Sequence, residues 1–325
     1  MPQDIIIDKS QAGQSPRTFL KKKLDLSFFT LQKLIKEKRI ALNGKKINSE
    51  ILLKEGDCLR IFVPVSFREK KEEKEQEAKD LKMKTLFENE DFLALNKNSG
   101  VVVQGAQDNE ESLSYHLAFL KQTAKQKMQE RYFHVHRLDK ETSGVLIIAK
   151  NSIALRELNA LFREGEVVKK YVCLCVGRFE KKEGTIELRL ERTEEGSRQK
   201  VRVSQQHGKK TRSAYKVLKE YEYEHENFSL VEVRLFSGFT HQIRVHMAHL
   251  RHPIVGDSMY GKHFINEQFK KDDKGRELLT RQFLHAKSIS FPYKGKEYTI
   301  EADLSEDLKK TLNQVKEKKT SFTKR

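Results

Sequence analysis

Apolar positions along this chain recur mostly in short runs of four to six, and several runs alternate with polar residues. Strands are predicted at Phe92–Leu95, Val145–Ala149, Tyr171–Val176, Thr185–Leu190, Leu230–Leu235 and Ile289–Phe291. Period-two alternation and enrichment in β-branched residues are the signals used. Helical spacing interrupts the strands near Leu113–Gln126, Ile153–Phe162 and His241–Leu250. Strands outnumber helices and the two do not alternate regularly. That order predicts an α+β domain with a mixed, mostly antiparallel sheet and flanking helices, over residues 85–305.

A smaller module precedes it, over residues 15–65, after an N-terminal segment 1–14. Ser15 and Pro16 form a helix start, a capping hydroxyl followed by proline at the first helical position. Phe19, Leu20 and Leu24 then make one apolar stripe. Thr30, Leu31, Leu34 and Ile35 suggest a second helix, with Lys33, Lys36, Lys38 and Arg39 on its other faces. Asn43-Gly44 is a turn between short strands, followed by Lys45 and Lys46, and Leu59–Val63 is another strand. The layout resembles the S-four RNA-binding domain first described in a ribosomal small-subunit protein. That resemblance implies a small α/β RNA-binding domain with Lys33, Lys36, Arg39, Lys45 and Lys46 on its basic face. A docking domain with a solvated basic face is the plain alternative.

Residues 66–84 mix both charge signs with few apolar groups, as a solvated linker does. Residues 306–325 are predicted to be a basic C-terminal tail.

Charge sharpens the picture. The chain has 325 residues with 64 lysines and arginines against 47 acidic residues, a formal net charge of +17. A surplus of that size attracts polyanions, of which nucleic acid is the commonest for a protein. No apolar run approaches the roughly 20 residues that cross a bilayer, so no membrane partner is expected. The first residues lack a secretory layout, and there are three cysteines, Cys58, Cys173 and Cys175. Cys173 and Cys175 would share one strand face, where a disulfide would be strained. Reduced cysteines in a cytoplasmic protein are the expectation.

Common catalytic signatures are absent. There is no phosphate-binding Gly-x-x-x-x-Gly-Lys-Ser/Thr loop, no Gly-x-Gly-x-x-Gly after a strand and no Gly-x-Ser-x-Gly elbow. Histidines cluster at His134 and His136, and at His241, His246, His249 and His252, without metal-ligand spacing. Neither cofactor nor metal is expected.

The distinctive run is His134-Val135-His136-Arg137-Leu138-Asp139-Lys140-Glu141-Thr142-Ser143-Gly144, directly ahead of a buried strand. Flanking cations favour the ionised form of Asp139, as a nucleophile or base requires. Taken alone, an Arg–Asp pair that pins a loop fits equally well. Thr142, Ser143 and Gly144 can make a tight turn whose hydroxyls and N–H groups hold an anion or cap the loop.

His-Arg-Leu-Asp-Lys-Glu-Thr-Ser-Gly resembles the signature of the RluA-type pseudouridine synthases. Three later segments fall in the same order: Lys169-Lys170-Tyr171; Ser237-Gly238-Phe239-Thr240-His241-Gln242-Ile243-Arg244-Val245-His246; and Gly256–Gly261 with Leu284-His285-Ala286. The match covers residues 85–300. It implies Asp139 as catalytic residue, Tyr171 and Arg244 in the uridine pocket, and Arg137 filling the gap left by a flipped base. Arg244 would pair with Asp139. Whether Asp139 attacks the sugar, attacks the ring or removes a sugar proton stays open. The family's third motif reads Gly-Arg-Thr-His-Gln, so Phe239 implies one cationic contact fewer near the RNA. Large-subunit ribosomal RNA is the implied substrate, transfer RNA the second choice. A non-catalytic RNA-binding or ribosome-assembly factor on the same fold is the alternative from another class.

Overall fold

The computed structural model describes residues 3–16, 18–20, 34–35, 37, 39–47, 51–62, 83–103, 113, 132–195, 198–272 and 274–317. The chain divides into two compact units, Met1–Lys82 with Gly105–Ala124, and Met83–Gln104 with Lys125–Arg325.

In the first unit β1 (Gln3–Ile6), β2 (Ile40–Leu42), β3 (Lys45–Lys46) and β4 (Cys58–Ile61) form an antiparallel sheet ordered β1-β4-β2-β3. Asn43 and Gly44 join β2 to β3, both at positive φ (50° and 75°), as a two-residue hairpin requires. The Asn43 side chain locks that turn, donating to Asp57 at 2.8 Å and accepting from the Cys58 N–H at 2.8 Å. At the expected helix start, Ser15 Oγ accepts from the Thr18 N–H at 3.2 Å. Ile7, Leu20, Leu34, Ile40, Leu59 and Ile61 pack as the core. From residue 3 the expected N-terminal segment 1–14 is thus not separate: β1 joins the sheet and covers the edge of β4. Lys33, Lys36 and most of the second expected helix lie outside the described residues. So do residues 66–82 of the expected linker, whose last residue, Lys84, opens a strand.

The second unit runs β5 (Lys84–Glu88), β6 (Phe92–Lys97), β7 (Phe133–His134), β8 (Ser143–Ala149), α1 (Ser152–Glu164), β9 (Val168–Val176), β10 (Glu183–Glu195), β11 (Arg198–Ser204), β12 (Lys209–Tyr223) and β13 (Glu226–Leu235). It continues with α2 (Gln242–His249), α3 (His263–Gln268), β14 (Leu284–Tyr293), β15 (Lys296–Glu301), α4 (Glu306–Gln314) and β16 (Lys316–Glu317). Its strands build one sheet along the path β11-β10-β12-β13-β9-β14-β8-β6-β5. Neighbours pair antiparallel except β8 with β14, which run parallel through His285↔Ser143 and Ala286↔Gly144. The α+β class and the mixed, mostly antiparallel sheet are therefore as expected. Of the expected Leu113–Gln126 helix, only Leu113 is described.

All seven residues of β8 are buried, as the apolar run Val145–Ala149 demands of its last five. Helix α1 covers that part of the sheet with Ala154 and Leu158, which pack on Phe92, Ile147 and Phe291. Asn151 caps α1 by accepting from the Ala154 N–H at 2.8 Å, and Gly165, at φ 81°, ends it. Cys173 and Cys175 are buried thiols with sulfurs 3.6 Å apart.

The tail boundary at residue 306 moves. Leu308 and Thr311 of α4 are fully buried, and Lys316–Glu317 pair with β12. One buried leucine and a threonine one turn on were too sparse a signal among so many lysines. Only residues 318–325 of that tail lie outside the described residues.

Two fully buried histidines set an acid limit on this fold. His246 shares a hydrogen bond with Thr211 Oγ1 at 2.9 Å, and His285 Nδ1 one with Ser143 Oγ at 2.9 Å. Burial pushes each imidazole down from 6.5 to about 4, with neighbouring cations contributing. Between those pH values the unfolded chain binds protons that the native one refuses, so stability falls as pH drops. Each site contributes on the order of 3 kcal/mol, fully present above about pH 6.5. Urea unfolding at pH 7.5 and pH 5 should give a clearly lower midpoint at pH 5; equal midpoints would contradict the burial of these rings.

Candidate active site

Asp139 sits on the loop that leads into β8, next to the one parallel junction of the sheet. Leu138, 4% exposed, plugs the core and leaves Arg137 and Asp139 on either side of it facing outward. Three consecutive carbonyls of the loop are occupied. Asp139 O accepts from the Thr142 N–H, and Lys140 O from the Gly100 N–H and from Lys97 Nζ at 2.9 Å. Glu141 O accepts from Arg281 Nη1 at 2.9 Å. A loop tied at every step offers its carboxylate in one place.

Lys97 and Arg281 are the buried anchors. Lys97 is fully buried and donates to the carbonyls of Asn98, Val101 and Lys140. Burial pulls its ammonium down to about 7, although Glu141 and Asp139 act the other way. Arg281, 5% exposed, pairs with Asp307 at 2.7 Å and also reaches Ser305 and Ser143. Helix α4 therefore fastens the loop from behind. The hydroxyls of Thr142 and Ser143 join this scaffold through Gln282, Arg281 and His285, and so serve the loop rather than an anion.

In front of Asp139 lies a cleft of about 440 Å³, into which Arg137, Tyr171 and Arg244 also open. Residues from three distant stretches of sequence meet there. Tyr171, on β9, is 8% exposed, with its backbone opposite Val233 and Ala286. Burial and then the Asp139 charge push its phenol well above the usual tyrosine range, so it presents a protonated ring. Arg137 is exposed at the mouth.

Arg244, on α2, does approach Asp139, Nη1 to Oδ2 at 3.7 Å, an ion pair without a hydrogen bond. Its short contacts go elsewhere. Nε and Nη2 donate to the two oxygens of Asp257 at 2.7 and 2.8 Å, a bidentate fork in which Asp257 is 1% exposed. Asp257 Oδ1 also accepts from the N–H groups of Met259 and Tyr260. Burial would raise this carboxyl, but the Arg244 hydrogen bonds and charge and those two donors outweigh it and hold it below the usual range. Arg244 further lies 5.0 Å over the Tyr260 ring. Asp257 thus fixes the arginine, and the arginine faces Asp139 with its remaining nitrogen.

Asp257 is the residue sequence reasoning passed over. It stood in the motif Gly256–Gly261, but nothing local pairs it with a residue thirteen positions earlier. Helix α2 is held in turn by Gln242, which donates to Arg212 O and Ser213 Oγ and accepts from Ser237 Oγ. Tyr260 OH accepts from the Val201 N–H at 2.9 Å and lies 3.0 Å from His241 Nδ1. His136, which also lines the cleft, accepts from the Ile147 N–H at 3.0 Å and stacks on Phe162. Burial, then Lys169 and His134, push it to about 3, so it is a neutral packing residue.

In the first unit, Arg39 and Lys45 are exposed, Arg39 beside Glu37 at 3.1 Å, and the Lys46 backbone belongs to β3.

A basic chain and a cleft whose described lining holds one carboxylate, Asp139, among several cations suit chemistry on a nucleic acid. The chain belongs to the RNA pseudouridylate synthase family, which it matches over residues 91–249, as its resemblance to the RluA-type enzymes implied. Enzymes of this family isomerise uridine to pseudouridine in RNA. More narrowly, the chain is 34% identical to the ribosomal large subunit pseudouridine synthase C of Pasteurella multocida (strain Pm70), over 98% of this chain and 95% of that one. Against the enzyme of the same name from Escherichia coli (strain K12) the identity is 33%, over 96% of both. Among solved structures, human RNA pseudouridylate synthase domain containing 1 superposes with a TM-score of 0.55 at 26% identity, over 68% of this chain and 83% of that one.

Proposed function

We propose that this chain is a cytoplasmic pseudouridine synthase of large-subunit ribosomal RNA, with Asp139 as its catalytic residue. The observation that carries the reading is the chain of contacts Asp257–Arg244–Asp139 at the floor of the cleft. Near full-length similarity to two ribosomal large subunit synthases supports the choice of RNA.

The reaction breaks the bond between ribose C1′ and uracil N1, turns the base and joins C1′ to C5. The C5 proton leaves and N1 gains one, so atoms balance without an oxidant or a metal. The target base must leave its stack first. Arg137, exposed at the mouth, fills the vacated place, since a planar guanidinium can stack and hydrogen-bond at once. The Tyr171 ring gives the extruded uracil a flat face, and its protonated phenol adds no charge there. Asp139, aimed by Arg244, then acts on the nucleotide.

In the first unit, the exposed Arg39 and Lys45 serve as part of an RNA-binding face. The expected result is new pseudouridine, mapped chemically, in transcribed large-subunit ribosomal RNA and little in transfer RNA. Modification of transfer RNA alone would overturn the substrate, and modification of neither would overturn the reading. In the same preparation Arg39→Glu with Lys45→Glu should weaken binding to the ribosomal transcript several-fold and flatten its salt dependence. Unchanged binding would remove these residues from the interface.

A further inference from the structure

The strand wall of the cleft carries three cations and, among the described residues that line it, no carboxylate. Arg192 comes from β10, Lys209 from β12 and Lys169 from β9, and all three line the cleft. Among the described residues that line the cleft Asp139 is the only carboxylate, and its cationic neighbour is Arg244. Burial and then the Lys209 ammonium pull the Lys169 pKa down, so the two lysines sense each other's charge. A wall of this kind is an anion site waiting for its ligand.

Arg192 is the member of this wall with a built seat. Its Nη2 donates to Thr240 Oγ1 at 3.1 Å, and its guanidinium carbon stands 5.7 Å from the centre of the Phe239 ring. Phe239 itself packs with Leu190, Val201 and Val245, so the ring is a fixed platform. Ring and hydroxyl together hold a long exposed side chain at the cleft while leaving the other guanidinium N–H groups toward solvent. A second guanidinium at position 239 would lie against Arg192 and repel it.

We propose that Arg192, seated on Phe239 and Thr240 beside Lys209, binds a backbone phosphodiester of the RNA strand that threads the cleft. The position that holds arginine in the family's third motif holds a ring here, and the cation arrives from β10 instead. This inference rests on the RNA-modifying reading of the same cleft and names the contact that guides the strand past Asp139. A planar guanidinium pre-set by stacking suits the two free oxygens of a phosphodiester.

The test uses the full chain and a transcript of large-subunit ribosomal RNA, with filter binding over a range of salt and steady-state pseudouridine formation. Arg192→Ala should weaken binding about 10-fold and make the slope of log affinity against log salt shallower by about 0.7–0.9, one phosphate contact. It should raise KM by a larger factor than it lowers kcat. Arg192→Lys should regain part of the affinity, and Arg192→Ala with Phe239→Arg should regain most of it, since the cation is then returned from the loop. Wild-type affinity and slope in Arg192→Ala would overturn the proposal, as would a loss that Phe239→Arg does not relieve in a variant that melts like wild type. If the wild type formed no pseudouridine while Arg192→Ala still lost affinity and slope, the enzymatic reading would fall and the phosphate site would stand.

Discussion

Asp139→Asn should reduce pseudouridine formation by at least roughly 10³-fold, about 4 kcal/mol in transition-state terms, with RNA binding largely kept. Asparagine has nearly the same shape, so Leu138 stays plugged in the core and the loop keeps its carbonyl contacts to Lys97, Gly100 and Arg281. What disappears is the charge opposite Arg244, and with it any capacity to attack a carbon or take a proton. Single-turnover conversion of the ribosomal transcript measures the effect, and a melting curve confirms the fold. A variant converting RNA at even a tenth of the wild-type rate would show that the carboxylate only pins its loop. Asp257→Asn probes the same chain of contacts one step back. Its loss should be smaller, because Arg244 would be misdirected rather than removed.

Gly144→Ala should have the largest effect on the fold. Gly144 has φ 114°, and a Cβ there would stand 2.2 Å from the Ala286 carbonyl oxygen and 2.7 Å from its nitrogen. Those are backbone atoms of β14 at the parallel junction, so no side chain can swing aside. Strain from the dihedral and from the forced separation together should cost about 3 kcal/mol or more. The expected observation is a second-unit unfolding midpoint well below wild type. Because Asp139 lies five residues upstream on the same tied loop, the folded fraction should also lose roughly 10²-fold in activity. Wild-type stability and turnover in this variant would mean that β8 and β14 do not approach as closely as Gly144 and Ala286 indicate.

Much of the fold was legible because its signals are local. The five-residue apolar run Val145–Ala149 of β8, the Asn-Gly hairpin between β2 and β3, and the apolar spacing of α1 each reflect burial or backbone freedom that neighbours in sequence impose. The long strand β12 was not read, since its exposed positions include Lys209, Arg212, Lys216 and Lys219 and few of its residues are buried. Helix α4 was taken for a tail for a similar reason. In both cases pairing or packing with distant segments, rather than local pattern, brings the element into the fold.

The candidate site divides along the same line. From sequence came the residues themselves: Asp139 between cations before a buried strand, Tyr171 opening another, Arg244 in a helix, and Phe239 in an unexpected place. Tertiary structure decided who meets whom. Arg244 gives its fork to Asp257 and only a 3.7 Å approach to Asp139. Arg281 ties the Asp139 loop to Asp307, and Arg192 crosses from β10 to the ring that replaced an arginine. Charge and apolar pattern are properties of single residues and their neighbours, so a sequence states them outright. Hydrogen-bond partnership depends on where the fold brings together segments far apart in the chain, which no local pattern states.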